Sequence, residues 1–233
     1  MVRRAVRRPF ATVVLVVRDA EAHIVRALES VLNQDFDDIQ VVVSDRASHD
    51  RTRSMCRTIA ERDIRVDVVE NDSSDFAQSF DAAIAAARGR YVLPMAQDDW
   101  LAPGSLAKLA DAVKAHDLQL AIMALSLDEQ VGAGERASHV LRFSVEPTDS
   151  AAAFRDETPL FVREGVLGFL KAKLFDRDRI DELGLRMGLQ GSQTAFLMSY
   201  IEGVERAGCV EEALYHAALG EVGQVAEATT CQE

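Results

Sequence analysis

Five short β-rich runs recur at nearly constant spacing: A-T-V-V-L-V-V from Ala11, I-Q-V-V-V from Ile39, I-R-V-D-V-V from Ile64, R-Y-V-L-P-M from Arg90 and L-Q-L-A-I-M-A-L from Leu118. Their starts are 28, 25, 26 and 28 residues apart. A hairpin closes in a few residues, whereas parallel neighbours need a crossover of a dozen or more, usually a helix. The intervening segments carry helical periodicity: Ile24, Leu28, Val31 and Leu32 on one face, then Met55 and Ile59, then Phe76, Phe80, Ala83, Ile84 and Ala87. The chain therefore reads as an α/β protein, a mainly parallel doubly wound sheet with helices on both faces. In such sheets ligands sit beyond the carboxyl ends of the strands, so the residues just after each strand are the informative ones.

The rhythm weakens after Leu125. Residues 139–145 (H-V-L-R-F-S-V) read as a strand, 166–175 (V-L-G-F-L-K-A-K-L-F) as a helix and 193–204 as another, while 128–138, with two glycines and no apolar pattern, reads as a loop. No linker or repeat separates the halves. At 233 residues and 48% apolar content one core is sufficient, so a single domain is expected, with halves at residues 10–125 and 126–220, a basic tail at 1–9 and a flexible tail at 221–233.

A formal charge of -12 argues against a protein that neutralises nucleic-acid phosphates. Residues 1–65 hold 12 Arg against 10 acids, so the negative excess lies in the remainder. The arginines of the tail suit weak peripheral contact with anionic lipid, and no stretch has the 18 or more apolar residues that span a bilayer. Cys56, Cys209 and Cys231 are odd in number and widely spaced, fitting neither a disulfide framework nor a metal site, which points to a reducing, cytoplasmic setting.

Acids stand at three strand tips: V-V-R-D-A-E after the first, S-D-R-A-S-H-D-R-T after the second and A-Q-D-D-W-L-A-P-G after the fourth. Asp19 and Asp50 can each be helix N-caps, and Asp98 with Asp99 can open a turn. Gathered on one rim, however, these carboxylates repel unless a cation joins them, and a hard divalent ion shared with a diphosphate resolves the conflict.

With these segments on the page the chain resembles a family 2 glycosyltransferase of the GT-A fold, from Ala11 to about Leu219. The likeness is carried by S-V-L-N-Q, by S-D-x-x-S-x-D-x-T, by A-Q-D-D-W-L-A-P-G and, more loosely, by K-A-K-L-F-D-R-D-R-I-D-E-L-G-L-R-M. The resemblance implies transfer of a sugar, with inversion, from a nucleotide diphosphate, a UDP-sugar by family habit, to a hydroxyl of a glycan or lipid-linked acceptor. Mg²⁺ or Mn²⁺ would assist. It makes Asp45 the partner of the base, places the backbone of Val17 and Arg18 in the base pocket with Asp19 on the rim, and gives Asp98 and Asp99 to the ribose and metal. Trp100 can shape the acceptor pocket or pack in the core at a helix start, and His216 can contact acceptor or metal or be a surface or packing residue. A cytoplasmic location follows, with contact at the inner face of the membrane and self-association as open alternatives.

Four departures qualify the likeness. Arg18 replaces an aromatic residue and can stack on a base or pair with Asp19. Ala96 stands where relatives have a further acid before Asp98. Phe80 and Asp81 replace a segment that carries an arginine. Finally, G-S-Q-T-A-F (191–196) replaces the G-E-D whose Asp is the general base, so that Ser192 and Gln193 supply no carboxylate. Base assistance contributes 10² to 10⁴ in rate. A degenerate, nucleotide-binding partner protein is therefore the alternative reading. A nucleotidyltransferase is a second one, disfavoured because no glycine-rich loop follows the first strand.

Overall fold

The computed structural model describes residues 8–130, 136–142, 151–156, 159 and 166–219. The tail at residues 1–7, the tail at 221–233 with Cys231, and residues 143–145 of the expected strand lie outside these. The elements follow in the order β1 (Ala11–Val17), α1 (Ile24–Leu32), β2 (Ile39–Arg46), α2 (Thr52–Ala60), β3 (Val66–Asn71), α3 (Phe76–Ala86), β4 (Tyr91–Met95), β5 (Trp100–Leu101), α4 (Ser105–His116), β6 (Leu120–Gln130), β7 (Arg136–Leu141), α5 (Ala151–Asp156), β8 (Lys173–Asp176), α6 (Arg177–Glu182), α7 (Met187–Gln190), α8 (Gln193–Gly203) and β9 (Ala207–Leu219).

One sheet runs β3-β2-β1-β4-β8-β6-β9-β5, with β7 on β6. The first four strands pair in parallel, in register from Val17 opposite Asp45 at the carboxyl rim. β8 then enters antiparallel between β4 and β6, while β6 and β9 are parallel to each other. β6 consequently runs the same way as β4, and the carboxyl ends of β1, β2, β4, β6 and β9 share one edge.

Alternation along the strands feeds two cores. Val13, Leu15, Leu93 and Met123 face α1, α2 and α4, whereas Val14, Val42, Val92 and Ile122 face α3 and α8. α1 buries Ile24, Ala27, Leu28 and Val31, the i, i+3, i+4, i+7 stripe of an amphipathic helix. At Gly89 a Cβ would stand 2.4 Å from the Thr12 amide, so only glycine lets the chain entering β4 approach β1 this closely.

Three local expectations are corrected. The apolar run 166–175 is a 3₁₀ turn at Val166–Gly168 followed by β8, because an apolar run of this length suits a buried strand as well as a helix. Residues 128–138 include the facing ends of β6 and β7, paired from Leu125–Leu141 to Gln130–Arg136. β3 begins at Val66 rather than Ile64, which is 96% exposed.

Candidate active site

The loops after β1 and β2 are stitched together. Asp19 takes a left-handed conformation and its Oδ1 accepts from the His49 amide at 2.7 Å. The Ala20 amide donates to Thr52 Oγ1 at 2.6 Å and the Glu21 amide to Asp50 Oδ2 at 3.0 Å. The other oxygen of Asp50 accepts from the Thr52 amide at 2.9 Å, just ahead of α2, whose N-cap is Arg51. Asp19 is thus no cap for α1, whose first turn follows His23; it clamps two loops from the rim and pairs with Arg18 at 3.6 Å, the ion pair that the sequence offered as one of two roles for that arginine.

Asp45, Asp98 and Asp99 differ in what holds them. Asp45 is buried; Arg53 of α2 donates to its Oδ2 through Nε and Nη2, both at 2.7 Å, while its Oδ1 is buried with no hydrogen-bond partner among the described residues. Asp99 is buried too, but fully engaged. Tyr215 donates to its Oδ2 at 2.6 Å, Lys171 approaches that oxygen at 3.0 Å, and the Ala218 amide donates to Oδ1 at 3.0 Å. Burial raises the Asp99 pKa, against the pull of Lys171 and Tyr215. Asp99, expected beside the metal, has oxygens that tie β9 and Lys171 to the turn after β4. Asp98 is half-buried, and among the described residues its carboxylate has no hydrogen-bond or ion-pair partner. Only its backbone carbonyl is held, by Arg26.

A cavity of about 390 Å³ opens beside this rim on the α3 and α8 side of the sheet. Val14, Val16, Pro94 and Ala96 form its floor, Phe76 and Phe80 one wall, and Phe169 to Lys171 with Gln193 the other. Its charged lining residues among those described are all cationic: Arg18, Arg46 and Lys171. Arg46 donates to the Ser74 carbonyl and lies 5.6 Å over the Phe76 ring. Burial, and then the positive charge of Arg18, pull its pKa below the ordinary arginine value.

Arg18 and Gln193 are the sequence-predicted site residues that line this cavity. The strand ends that carry Asp45 and Asp98 share its rim, although neither carboxylate lines it. Val17 turns its side chain into the first core. Ser192 caps α8, accepting from the Ala195 amide at 3.1 Å, and Gln193 Oε1 accepts from the Leu170 amide at 3.2 Å. Asp81 accepts from the Met187 and Gly188 amides at 2.7 and 2.9 Å, a structural task that accounts for an acid at that position. Trp100 and His216 are directly opposed on β5 and β9, with rings 5.1 Å apart and nearly parallel. Sequence reasoning missed the cavity-lining cations Arg46 and Lys171. Arg46 alone had a signal, its place next to Asp45.

The model of the family "Glycosyl transferase family 2" matches residues 12–177. The chain belongs to family 2 of the glycosyltransferases. It is 28% identical over 178 residues to the succinoglycan biosynthesis protein ExoO of Rhizobium meliloti, covering 76% of this chain and 51% of that protein. It is 31% identical over 227 residues to the O-antigen biosynthesis protein RfbC of Myxococcus xanthus, covering 94% of this chain and 16% of that one. The chain thus spans about half or less of these relatives. Among solved structures it resembles residues 1–349 of S. aureus TarS in complex with UDP-GlcNAc, with TM-score 0.72 and 18% identity over 91% of this chain and 59% of that one. It also resembles the mannosyltransferase PcManGT of Pyrobaculum calidifontis in complex with GDP-Man and Mn2+, with TM-score 0.64 and 19% identity over 94% and 59% of the two chains. At such identities these likenesses establish the fold, a mixed α/β architecture of the GT-A type. No helix among the described residues is long and apolar enough to cross a membrane.

Proposed function

We propose that this chain transfers a sugar from a nucleotide diphosphate donor, a UDP-sugar by preference, to a hydroxyl of a glycan or lipid-linked precursor in polysaccharide synthesis, with inversion. The observation that carries the reading is the free carboxylate of Asp98, following directly on Gln97 at the edge of a cavity whose charged lining is cationic. A diphosphate suits both: its oxygens complement Arg18, Arg46 and Lys171, and they complete the shell of a cation that one carboxylate begins. The orphaned Oδ1 of Asp45 supports a donor N–H, such as that of a nucleotide base, as its missing partner.

No group of three His, Cys, Asp or Glu side chains among the described residues forms a metal cage. One carboxylate plus substrate phosphates is, however, an ordinary way to hold Mg²⁺, so the residues present fit a cation shared with the donor. Asp98 would hold it, without Asp99. When bound, Mg²⁺ or Mn²⁺ supplies positive charge to the leaving diphosphate. The names of the relatives support the polysaccharide assignment.

Calorimetric titration with UDP, GDP, CDP and dTDP, with and without Mn²⁺, tests the reading. Metal-dependent binding of one diphosphate is expected, and no binding across the panel would refute it. The neutral Gln193 at the base position favours a second reading, a donor-binding protein without transfer, which predicts binding but no turnover.

A further inference from the structure

We propose that His216, oriented by Asp128, is the general base that accepts the acceptor proton, in place of the carboxylate missing at Gln193. The inference rests on the glycosyltransferase reading above.

His216 Nδ1 lies 2.7 Å from Asp128 Oδ2, and Ser138 donates to Oδ1 of the same carboxylate. Burial pushes Asp128 up, but the hydrogen bonds from Ser138 and His216 outweigh it and hold the acid below the usual carboxylate range. An ionised carboxylate only accepts, so Nδ1 carries the ring proton and Nε2 is left with its lone pair. Nε2 has no partner among the described residues, and the side chain is 26% exposed. A base held by a third group through its far nitrogen is the arrangement that activates hydroxyls on unrelated folds.

Topology brings this pair to the reacting edge. Along β6, Leu120 and Ile122 face the second core while Ala121, Met123 and Leu125 face the first, so Asp128 projects from the same face as Val14, which floors the cavity. His216 pairs in parallel with Ser126 and takes that face too, its neighbours Tyr215 and Ala217 belonging to the first core. Both residues lie at the carboxyl ends of their strands. The Trp100 ring stacked on His216 stands two residues beyond Asp98, and Arg26, which holds the Asp98 carbonyl, packs 4.3 Å from the same ring.

In the step, the acceptor oxygen bonds to the anomeric carbon as its proton passes to Nε2. The bond from that carbon to the diphosphate breaks, and its electron pair leaves on the diphosphate. The imidazolium so formed pairs with Asp128. Among the described residues, the charged groups facing the ring are Asp128 from β6 and, across Trp100, Arg26 from α1.

The test uses water as acceptor: nucleoside diphosphate release from UDP-GlcNAc, UDP-glucose, UDP-galactose and GDP-mannose is followed against pH, and UDP affinity is measured beside it. In the wild type the rate should fall as acid protonates the imidazole. His216→Gln should lose that acid limb and about 10²- to 10⁴-fold of the rate with UDP affinity unchanged. Asp128→Asn, which takes the anion from Nδ1, should lower the rate with UDP affinity unchanged. A His216→Gln variant that keeps both rate and limb overturns the assignment, as does a wild type that binds UDP and hydrolyses none of the donors. Absence of UDP binding by the wild type removes the glycosyltransferase reading itself.

Discussion

Lys173 is buried on β8, its ammonium 2.8 Å from the Phe169 carbonyl, 3.2 Å from the Lys171 carbonyl and 4.4 Å from the Phe169 ring centroid. Those acceptors favour the charged form, but burial wins. With the like charge of Lys171 added, the pKa drops from 10.5 to about 7. The sign follows from proton counting. Between about 7 and 10.5 the unfolded chain binds a proton that the folded chain has released, so stability rises with pH across that window, by up to about 1.4 kcal/mol per unit. The contribution is complete above 10.5 and lost as the pH falls to about 7. Below it, the buried charge costs roughly 5 kcal/mol relative to a neutral group. Lys173→Met removes that cost but strips the donor from two carbonyls, at roughly 1 to 3 kcal/mol each. Urea unfolding followed by the fluorescence of Trp100, the single tryptophan, should therefore find the variant no weaker than wild type near pH 6. Near pH 9 the wild type should be ahead by about 2 to 3 kcal/mol. Parallel stability curves across this range would refute the reasoning. Phe169 and Lys171, whose carbonyls the amine holds, also line the cavity, so the same variant should weaken diphosphate binding.

Asp98→Asn should abolish most metal-dependent diphosphate affinity in calorimetry, since an amide replaces a carboxylate poorly at a hard cation, whereas Asp50→Asn should cost only the roughly 1 kcal/mol of a hydrogen bond. Gln193→Asp should place a second base on the cavity wall and raise donor hydrolysis in the His216→Gln background, by an amount within the roughly 10²- to 10⁴-fold range of base catalysis. Cys56, buried and with its thiol pushed up to about 12, first by burial and then by Asp45 and Asp50, should stay unmodified by iodoacetamide in the native protein and react once urea is added.

The strands and helices from Ala11 to Met95 were legible because each announces itself locally: a short apolar run, a turn, then a stripe of period 3.6. The second half hides its pairing. β9 meets β6 with nearly ninety residues between them and with register breaks around Ala124, and its apolar pattern is interrupted by Glu211 and Glu212. A strand with a buried lysine at its start, as at β8, breaks the composition that marks strands. For the site, the sequence identified which acids stand on the rim but not which are free. That distinction rests on partners such as Tyr215, 116 residues from Asp99, and on the fold that brings them together.

The same limit explains the arginine that seemed to be lost at Phe80 and Asp81. Read along the chain, that position holds an apolar ring and an acid and supplies no cation. In three dimensions Phe80 and Phe76 form one wall, and the guanidinium of Arg46 lies over the Phe76 ring from the end of β2. Arg46 thus places a positive charge beside that wall from the end of β2, while Asp81 holds the amides at the start of α7. Of the three cations lining the cavity, Arg18 has Asp19 and Lys171 has Asp99, but Arg46 is met chiefly by the neutral Ser74 carbonyl. It therefore has the most to gain from an incoming anion. Arg46→Ala should cost more diphosphate affinity than Arg18→Ala, where a partner already satisfies the charge, and affinities of the two variants in the reverse order would break this argument.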